Sequence, residues 1–123
     1  MKLVIAEKPS VGNSIARMIG ADRQRGDGFT SGNGYIVSWC FGHLVALSSP
    51  EEYDKRYAKP WKLSNLPIIP EEFRWTVAES TAPQFEKLKA LMERPDVDEI
   101  ICATDAGREG ELIFRLVLSL IHI

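Results

Sequence analysis

The chain has 123 residues, of which 45% are apolar and 26% are charged, as expected for one globular domain. Its net charge of −2 argues against a strong hold on nucleic acid by this chain alone, because such binding relies on basic groups that displace counterions. No apolar run approaches the roughly 20 residues of a membrane span, and no signal-peptide pattern opens the chain. We therefore expect a cytoplasmic protein without membrane contact, and nothing requires more than a monomer.

Cys40 and Cys102 lie in apolar surroundings without zinc or redox spacing, so we expect buried, inert thiols.

The first predicted elements are a buried strand and a helix. Residues 3–6 form an uninterrupted apolar run, typical of a strand covered on both faces in a parallel sheet. Ser10 is a candidate N-cap for a helix that runs to about Ile19, where Gly20 ends it. The side chains predicted to be buried on this helix are Val11, Ile15, Met18 and Ile19. The polar, glycine-bearing residues 22–28 are predicted to form a loop.

A hairpin and a lone histidine come next. Residues 29–39 carry strand-forming side chains around the Gly-Asn-Gly sequence at 32–34, which tolerates the positive φ of a tight turn. His43 follows Gly42. A histidine in such a setting has a structural or hydrogen-bonding role more often than a catalytic one, and the sequence assigns it no role.

Residues 48–70 contain four prolines and little periodicity, which predicts an extended loop region with one helical turn near residues 51–57. This region carries basic side chains interleaved with an aromatic one, at Lys55, Arg56, Lys59, Trp61 and Lys62. Such a pattern can contact a nucleic-acid backbone and stack a base. The alternative, equally open, is a solvated loop that Trp61 anchors to the core.

A further strand and helix lead to the second half of the domain. Phe73, Trp75 and Val77 alternate with polar residues, which predicts a strand with one solvated face. Thr81 and Gln84 have the spacing of a capping box, in which each side chain satisfies a backbone N–H of the other residue. The helix after them is predicted to end near position 94 and to bury Phe85, Leu88, Leu91 and Met92.

A second apolar run, at residues 100–103, predicts another strand buried on both faces, with Asp105 just past its end. A helix follows, with an apolar face at Leu112, Ile113, Leu116, Val117 and Leu120. Its other face carries Arg108, Glu109, Glu111 and Arg115. The order is therefore strand, acidic turn, helix.

Glu7 has the same placement as Asp105, directly after a buried strand. If the two strands are parallel neighbours, both carboxylates lie at the edge of the sheet where open α/β folds bind ligands. Mg²⁺ takes oxygen ligands, usually one or two carboxylates with waters and phosphate oxygens. The sequence thus predicts a site for phosphate-ester chemistry.

Simpler explanations stand beside this one. Glu7 and Lys8 could form an ion pair that caps the sheet, an interaction that contributes under about 1 kcal/mol in most surface pairs. Glu109 and Glu111 could complement the positive end of a helix. We prefer the simpler explanation for Glu111 and favour a functional role for Glu109.

Three segments together resemble a known family. They are KLVIAEKPSVGNSIA at residues 2–16, GHL at 42–44 and ATDAGREGELIFR at 103–115. Their order and spacing resemble the Toprim domain of type IA DNA topoisomerases, closest to the bacterial topoisomerase III branch. The resemblance implies a Toprim domain over residues 1–117, with a Rossmann-like α/β fold: an open, mostly parallel sheet with helices on both faces. Residues 118–123 are then predicted to be a vector-derived or truncated tail.

The resemblance also implies an ATP-independent reaction in which a tyrosine cleaves one DNA strand through a 5′-phosphotyrosine link and then reseals it. Glu7 would protonate or deprotonate the 3′ hydroxyl, and Lys8 would stabilise charge on the phosphoryl oxygens. Asp105, with Glu7 and Glu109, would hold Mg²⁺. Arg108 would contact the phosphate or pair with Glu109.

One position departs from the family pattern. Gly107 stands where the second Asp of the DxD motif is common, which removes a carboxylate from the site. Glu109 is then the acidic partner that remains, and we expect a weaker Mg²⁺ site completed by water and DNA phosphate.

The expected partner is DNA, mainly single-stranded and held largely by domains that this chain does not contain. The candidate contacts to DNA are Trp61, Lys62 and Lys8.

None of the tyrosines Tyr35, Tyr53 and Tyr57 has the context of the family's nucleophile, so the chain alone should not cleave DNA. The alternatives are a Toprim domain of a primase or nuclease, or a non-enzymatic phosphate-binding module. The GHL segment and the KPS after Glu7 favour the topoisomerase.

Overall fold

The structure, a computed structural model, describes residues 1–122. Its strands are β1 (Lys2–Ala6), β2 (Gln24–Gly26), β3 (Phe29–Gly32), β4 (Tyr35–Trp39), β5 (Val45–Leu47), β6 (Trp75–Val77) and β7 (Glu99–Ala103). Its helices are α1 (Pro9–Ile19), α2 (Pro50–Tyr53), α3 (Ala82–Met92) and α4 (Arg108–His122). Single 3₁₀ turns lie at Lys55–Tyr57, Leu63–Asn65 and Glu79–Thr81. No helix within residues 1–122 has the length and apolar character needed to cross a membrane.

The main sheet has five strands in the order β2-β3-β4-β1-β7. β1 lies between β4 and β7 and runs parallel to both, with Val4 opposite Val37 on one side and Ile101 on the other. β2, β3 and β4 are joined by antiparallel pairing. The two apolar runs of the sequence are therefore neighbouring parallel strands, and the α/β prediction is confirmed.

Helices cover both faces of this sheet, as predicted. Leu3, Ile5 and Ile36 belong to one core cluster with buried side chains of α3 and α4. Val4 and Val37 belong to a second cluster with Ala16 of α1. Successive residues of a strand point to opposite faces. This alternation explains why the run at residues 3–6 is apolar throughout.

Helix α1 packs differently from the prediction. It begins at Pro9 after Lys8 as N-cap, without a side-chain cap from Ser10. Its fully buried residues are the small ones, Gly12 and Ala16, and a Cβ at position 12 would lie only 2.8 Å from the ring of Trp39. Since this close contact fixes the rotation of the helix, Met18 is 87% exposed and its predicted burial was wrong.

The hairpin region also corrects one prediction. Residues 22–28 are not all loop, because β2 pairs with β3 through Gln24–Gly26. All three residues of β2 are exposed, so the strand leaves no apolar pattern in the sequence. The predicted turn between β3 and β4 is present, with φ of 51° at Asn33 and 81° at Gly34.

Strand β7 is less buried than its apolar run predicted. It lies at the end of the sheet, and Cys102 is exposed, whereas Cys40 is buried as expected. The predicted burial of Cys102 was wrong, and the burial of the two faces of β7 is only partial: Ile100 packs against one core cluster, and Ile101 and Ala103 pack against the other. A strand at the sheet edge keeps neighbours on one side only, which explains the exposure.

Strand β6 is confirmed but lies outside the main sheet, in a two-stranded sheet with β5. Phe73 precedes it and is 62% exposed, so the predicted buried face reduces to the partly buried Val77. β6 is held in place by its three-residue antiparallel pairing with β5 and not by burial of one of its faces.

The predicted capping box at the start of α3 does not form. The hydroxyl of Thr81 lies 3.3 Å from the carbonyl oxygen of Leu44, and the side-chain amide of the buried Gln84 donates to the carbonyl of Trp39 at 2.6 Å. The Thr81 hydroxyl also lies 3.1 Å from the carbonyl oxygen of Ala78, so both side chains donate to backbone carbonyls instead of capping the N–H groups of the helix. The buried face of α3 is as predicted: Phe85, Leu88, Leu91 and Met92.

Helix α4 buries Ile113, Phe114, Leu116 and Val117, while Leu112 and Leu120 are exposed, contrary to prediction. The helix continues to His122, and Leu118 and Ile121 pack against the core. The domain boundary at residue 117 and the tail at 118–123 stay predictions. Ile123 lies outside the described residues.

The two thiols should differ in reactivity. Burial raises the pKa of Cys40 to about 12, with smaller contributions from the charges of Glu7 and Cys102. We expect iodoacetamide at about pH 8 to label the exposed Cys102 in the native protein, and Cys40 only after denaturation. Peptide mass spectrometry measures both.

The same shift predicts a pH effect on stability. Unfolded Cys40 ionises near its ordinary pKa of 9.0, whereas the folded thiol stays protonated up to about 12. The unfolded state then binds fewer protons, so the free energy of unfolding falls as pH rises through this window. Cys40→Ala should remove this contribution. Equal labelling of both native thiols would contradict the burial on which both expectations depend.

Candidate functional site

Glu7 and Asp105 lie side by side at the carboxyl edge of the sheet. β1 and β7 are parallel and end in register, with Ala6 opposite Ala103, so the residues after them emerge at the same edge. The backbone N–H of Asp105 donates to Oε2 of Glu7 at 3.1 Å. The predicted convergence of these two turns is therefore present, and this hydrogen bond fixes the Glu7 carboxylate against the second turn.

The chain after β4 passes the same edge. The N–H of Cys40 donates to the carbonyl of Ala6 at 2.8 Å, and the N–H of Gly42 donates to the carbonyl of Glu7 at 3.1 Å. Gly42 has φ of 69°, in the left-handed region that favours glycine. This turn brings His43 beside the two acidic turns.

The first turn of α4 is held close to Asp105. The N–H of Gly107 donates to the carbonyl of Asp105 at 2.9 Å, and the N–H of Glu111 donates to the carbonyl of Gly107 at 3.0 Å. Gly110 is buried, and a Cβ there would overlap the carbonyl of Asp105. Only glycine at position 110 allows the helix to approach the turn this closely.

Glu109 contacts His43 rather than the other two acidic residues. Nε2 of His43 lies 3.2 Å from Oε1 of Glu109, and the two side chains are 42% and 77% exposed. Sequence reasoning did not find this pair, because its members are 66 positions apart and no local pattern links them. The GHL segment of the family resemblance was the only signal that drew attention to His43.

The donors suit a hard cation bound in part through water. Within residues 1–121, no three Asp, Glu, His or Cys side chains lie close enough together to hold a metal ion directly. The carboxylate of Glu7 nevertheless lies against the backbone of Asp105, and Asp105 is exposed directly after the neighbouring strand. Mg²⁺ commonly binds one or two carboxylates and keeps several waters, so this pair fits that ion.

The other candidates are exposed and lack ion pairs. Lys8 and Arg108 form no salt bridge in the part of the chain that the structure describes, so neither the Glu7–Lys8 pair nor the Arg108–Glu109 pair is present. The alternative that Glu7 serves only as an ion-pair partner is therefore not supported. Glu111 lies in the first turn of α4, as its simpler explanation requires, and its Oε1 accepts a hydrogen bond from Nε of Arg115 at 2.7 Å.

Trp61 lies away from the core. Its indole N–H donates to the carbonyl of Tyr57 at 2.9 Å, and Nζ of Lys59 lies 5.3 Å from the ring centroid. Because Trp61 is 51% exposed and packs on its own loop, the alternative of a core anchor was wrong. Lys62 is exposed as well. The DNA contacts assigned to these residues stay predictions.

Comparison with known proteins agrees with this geometry. The Toprim domain family matches residues 2–122, and the chain belongs to that family. It is 49% identical over 122 residues to DNA topoisomerase 3 of Shouchella clausii (strain KSM-K16), covering 99% of this chain and 16% of that protein. It is 50% identical over 121 residues to DNA topoisomerase 3 of Bacillus thuringiensis (strain Al Hakam), covering 98% of this chain and 16% of that protein.

A solved structure shares the fold. Full-length topoisomerase I from Thermotoga maritima aligns over 97% of this chain and 16% of its own, with a TM-score of 0.59 and 23% identity. The chain thus spans about a sixth of the length of these proteins.

Gly110→Ala should disturb the site. The added methyl group would overlap the backbone of Asp105, so the helix or the turn must move, at a cost of about 1–3 kcal/mol. We expect a lower free energy of unfolding and shifted amide signals for residues 104–107, measured by denaturation and NMR. The matched control is Gly107→Ala, whose Cβ has no atom within 4 Å. Equal effects of the two substitutions would show that the close approach at Gly110 is unimportant.

Proposed function

We propose that this chain is the Mg²⁺-binding Toprim domain of a type IA DNA topoisomerase of the topoisomerase 3 kind, which cleaves and reseals single DNA strands to change DNA topology. The observation that supports this most is the contact between Glu7 and the Asp105 turn. A non-enzymatic phosphate-binding module does not require two acidic turns to meet. The roughly one-half identity to DNA topoisomerase 3 proteins favours this function over that of a primase or nuclease.

Glu7 is the proposed general acid and base. One of its oxygens accepts the N–H of Asp105, which orients the carboxylate and leaves the other oxygen for a proton of the DNA 3′ hydroxyl. Lys8 follows on the same edge and carries no competing ion pair within residues 1–122, so it is available to neutralise charge on the phosphoryl oxygens. Arg108 at the start of α4 is a second cation for the same phosphate.

Glu7 and Asp105 would hold Mg²⁺, with Glu109 nearby. When bound, the ion supplies positive charge that stabilises a phosphate undergoing displacement. A Cβ at Gly107 meets no atom within 4 Å, so the position has room for the side chain that this chain lacks. Fewer carboxylates imply weaker binding than in a site with an Asp there.

The proposed substrate is single-stranded DNA, and this chain would bind it weakly alone because its net charge is −2. Trp61 and Lys62, exposed on the loop before β6, would stack a base and meet the backbone. Lys8 would add a phosphate contact at the carboxyl edge of the sheet, beside Glu7. A cytoplasmic location follows from this substrate.

The nucleophilic tyrosine would come from another part of a longer protein. Tyr35 begins β4, at the end of the strand opposite the site. The hydroxyl of Tyr53 bonds the backbone of Arg74, and that of Tyr57 accepts from Arg56. We therefore expect this chain alone to leave DNA uncut.

Mg²⁺ titration followed by NMR tests the metal site. We expect shifts centred on Glu7 and Asp105, lost in Glu7→Gln, because these residues supply the proposed ligands. Gly107→Asp should tighten binding by about tenfold, since it adds a carboxylate. Gly107→Asn, with a similar shape and no charge, is the control. A wild-type chain that does not respond up to about 10 mM Mg²⁺ would contradict metal binding in the absence of DNA.

A chimera tests the catalytic role. This chain would replace the matching segment of the Bacillus thuringiensis DNA topoisomerase 3, to which it is 50% identical. We expect the chimera to relax negatively supercoiled plasmid, and Glu7→Gln to reduce the rate by at least about 100-fold, the usual contribution of a general acid or base. Glu51→Gln, an exposed carboxylate on α2, should keep the parent rate. Normal relaxation by the Glu7 variant would exclude the acid–base role.

A further inference from the structure

His43 and Glu109 form a contact between two elements that are distant in sequence. The histidine follows the Gly42 turn, and the glutamate lies in the first turn of α4, with Nε2 and Oε1 3.2 Å apart. In the tautomer that carries a proton on Nε2, His43 donates this hydrogen bond and the carboxylate oxygen of Glu109 accepts it. The contact therefore fixes one oxygen of Glu109 and, with it, the orientation of the other.

The backbone on the histidine side is held on both flanks. Gly42 donates to the carbonyl of Glu7 at 3.1 Å. Leu44 is 1% exposed, and its carbonyl accepts the N–H of Ala78 at 2.9 Å. His43 thus lies between Gly42, which is bonded to Glu7, and the buried Leu44. The backbone position of His43 therefore does not depend on its contact with Glu109.

The glutamate side is equally constrained. Gly110, the next residue, is buried against the backbone of Asp105 and leaves no room for a Cβ. The backbone of Glu109 is therefore placed relative to the Asp105 turn, while its side chain, 77% exposed, has no other fixed contact in the described residues than His43. Without His43, the carboxylate would sample its rotamers in solvent.

We propose that His43 is a positioning residue that holds the Glu109 carboxylate at the edge of the sheet where Glu7 and Asp105 would bind Mg²⁺, so that Glu109 would accept hydrogen bonds from waters on that ion; this rests on the function proposed above. Glu109 does not join the other two carboxylates in a direct ligand group. An ion that retains several waters can still use a third carboxylate as acceptor for those waters. Partners that orient such groups commonly change metal affinity by about tenfold or more.

The metal-free protein provides the first test. The ¹³C signal of the Glu109 carboxylate should shift in His43→Ala, which removes the donor, and return toward the wild-type value in His43→Gln, whose amide N–H can replace Nε2–H. Arg115→Ala is the matched control, because it breaks the exposed pair with Glu111 on the same helix. That variant should move the Glu111 signal and leave that of Glu109 unchanged. A Glu109 signal that is the same in wild type and His43→Ala would overturn the proposal.

Mg²⁺ titration gives the second test. His43→Ala should raise the midpoint by about tenfold, His43→Gln should restore most of the affinity, and the melting temperature should stay unchanged because exposed pairs contribute little to stability. Glu109→Gln should have a similar effect, and the double variant should be no weaker than either single one. Additive losses in the double variant would show that the two residues act independently. If the wild-type chain binds no Mg²⁺, the proposed metal site fails, while the carboxylate signal still decides whether His43 orients Glu109.

Discussion

The pairing of β1 with β7 is the interaction on which the site depends. The two strands are parallel and in register over five residues each. Because a one-residue slip would turn Leu3 and Ile5 away from their core, the buried side chains also hold the register that places Glu7 beside Asp105. Hydrophobic burial on the two sides of β1 thus determines where two charged side chains meet at its end.

The parts of this arrangement that the sequence predicted are those with a strong local pattern. The apolar runs at residues 3–6 and 100–103 indicated parallel strands, and the acidic residue after each run indicated a shared edge. The turn at Asn33 was equally clear, because few residues adopt positive φ. The buried face of α3 followed from helical spacing. In each of these cases the structure of the element follows from residues that are close together in the sequence.

The errors have a common physical origin in tertiary contacts. Met18 faces solvent because Gly12 sets the rotation of α1 against Trp39, a residue 27 positions away (39 − 12). The side chain of Gln84 donates to the carbonyl of Trp39 in β4 instead of capping its own helix. Cys102 is exposed because of its place in the strand order, which no local pattern specifies. The pair between His43 and Glu109 was missed for the same reason.

The buried glycine in the first turn of α4 has a mechanical consequence. Because no side chain separates Gly110 from the backbone of Asp105, the first turn of the helix packs directly on the acidic turn. α4 has 15 residues and is therefore about 22 Å long, at 1.5 Å per residue. A tilt imposed at its far end, near Ile121, would displace the carboxylate at its near end. A displacement of the last turn of α4 would thus be transmitted along the helix to the edge of the sheet where Glu7 lies.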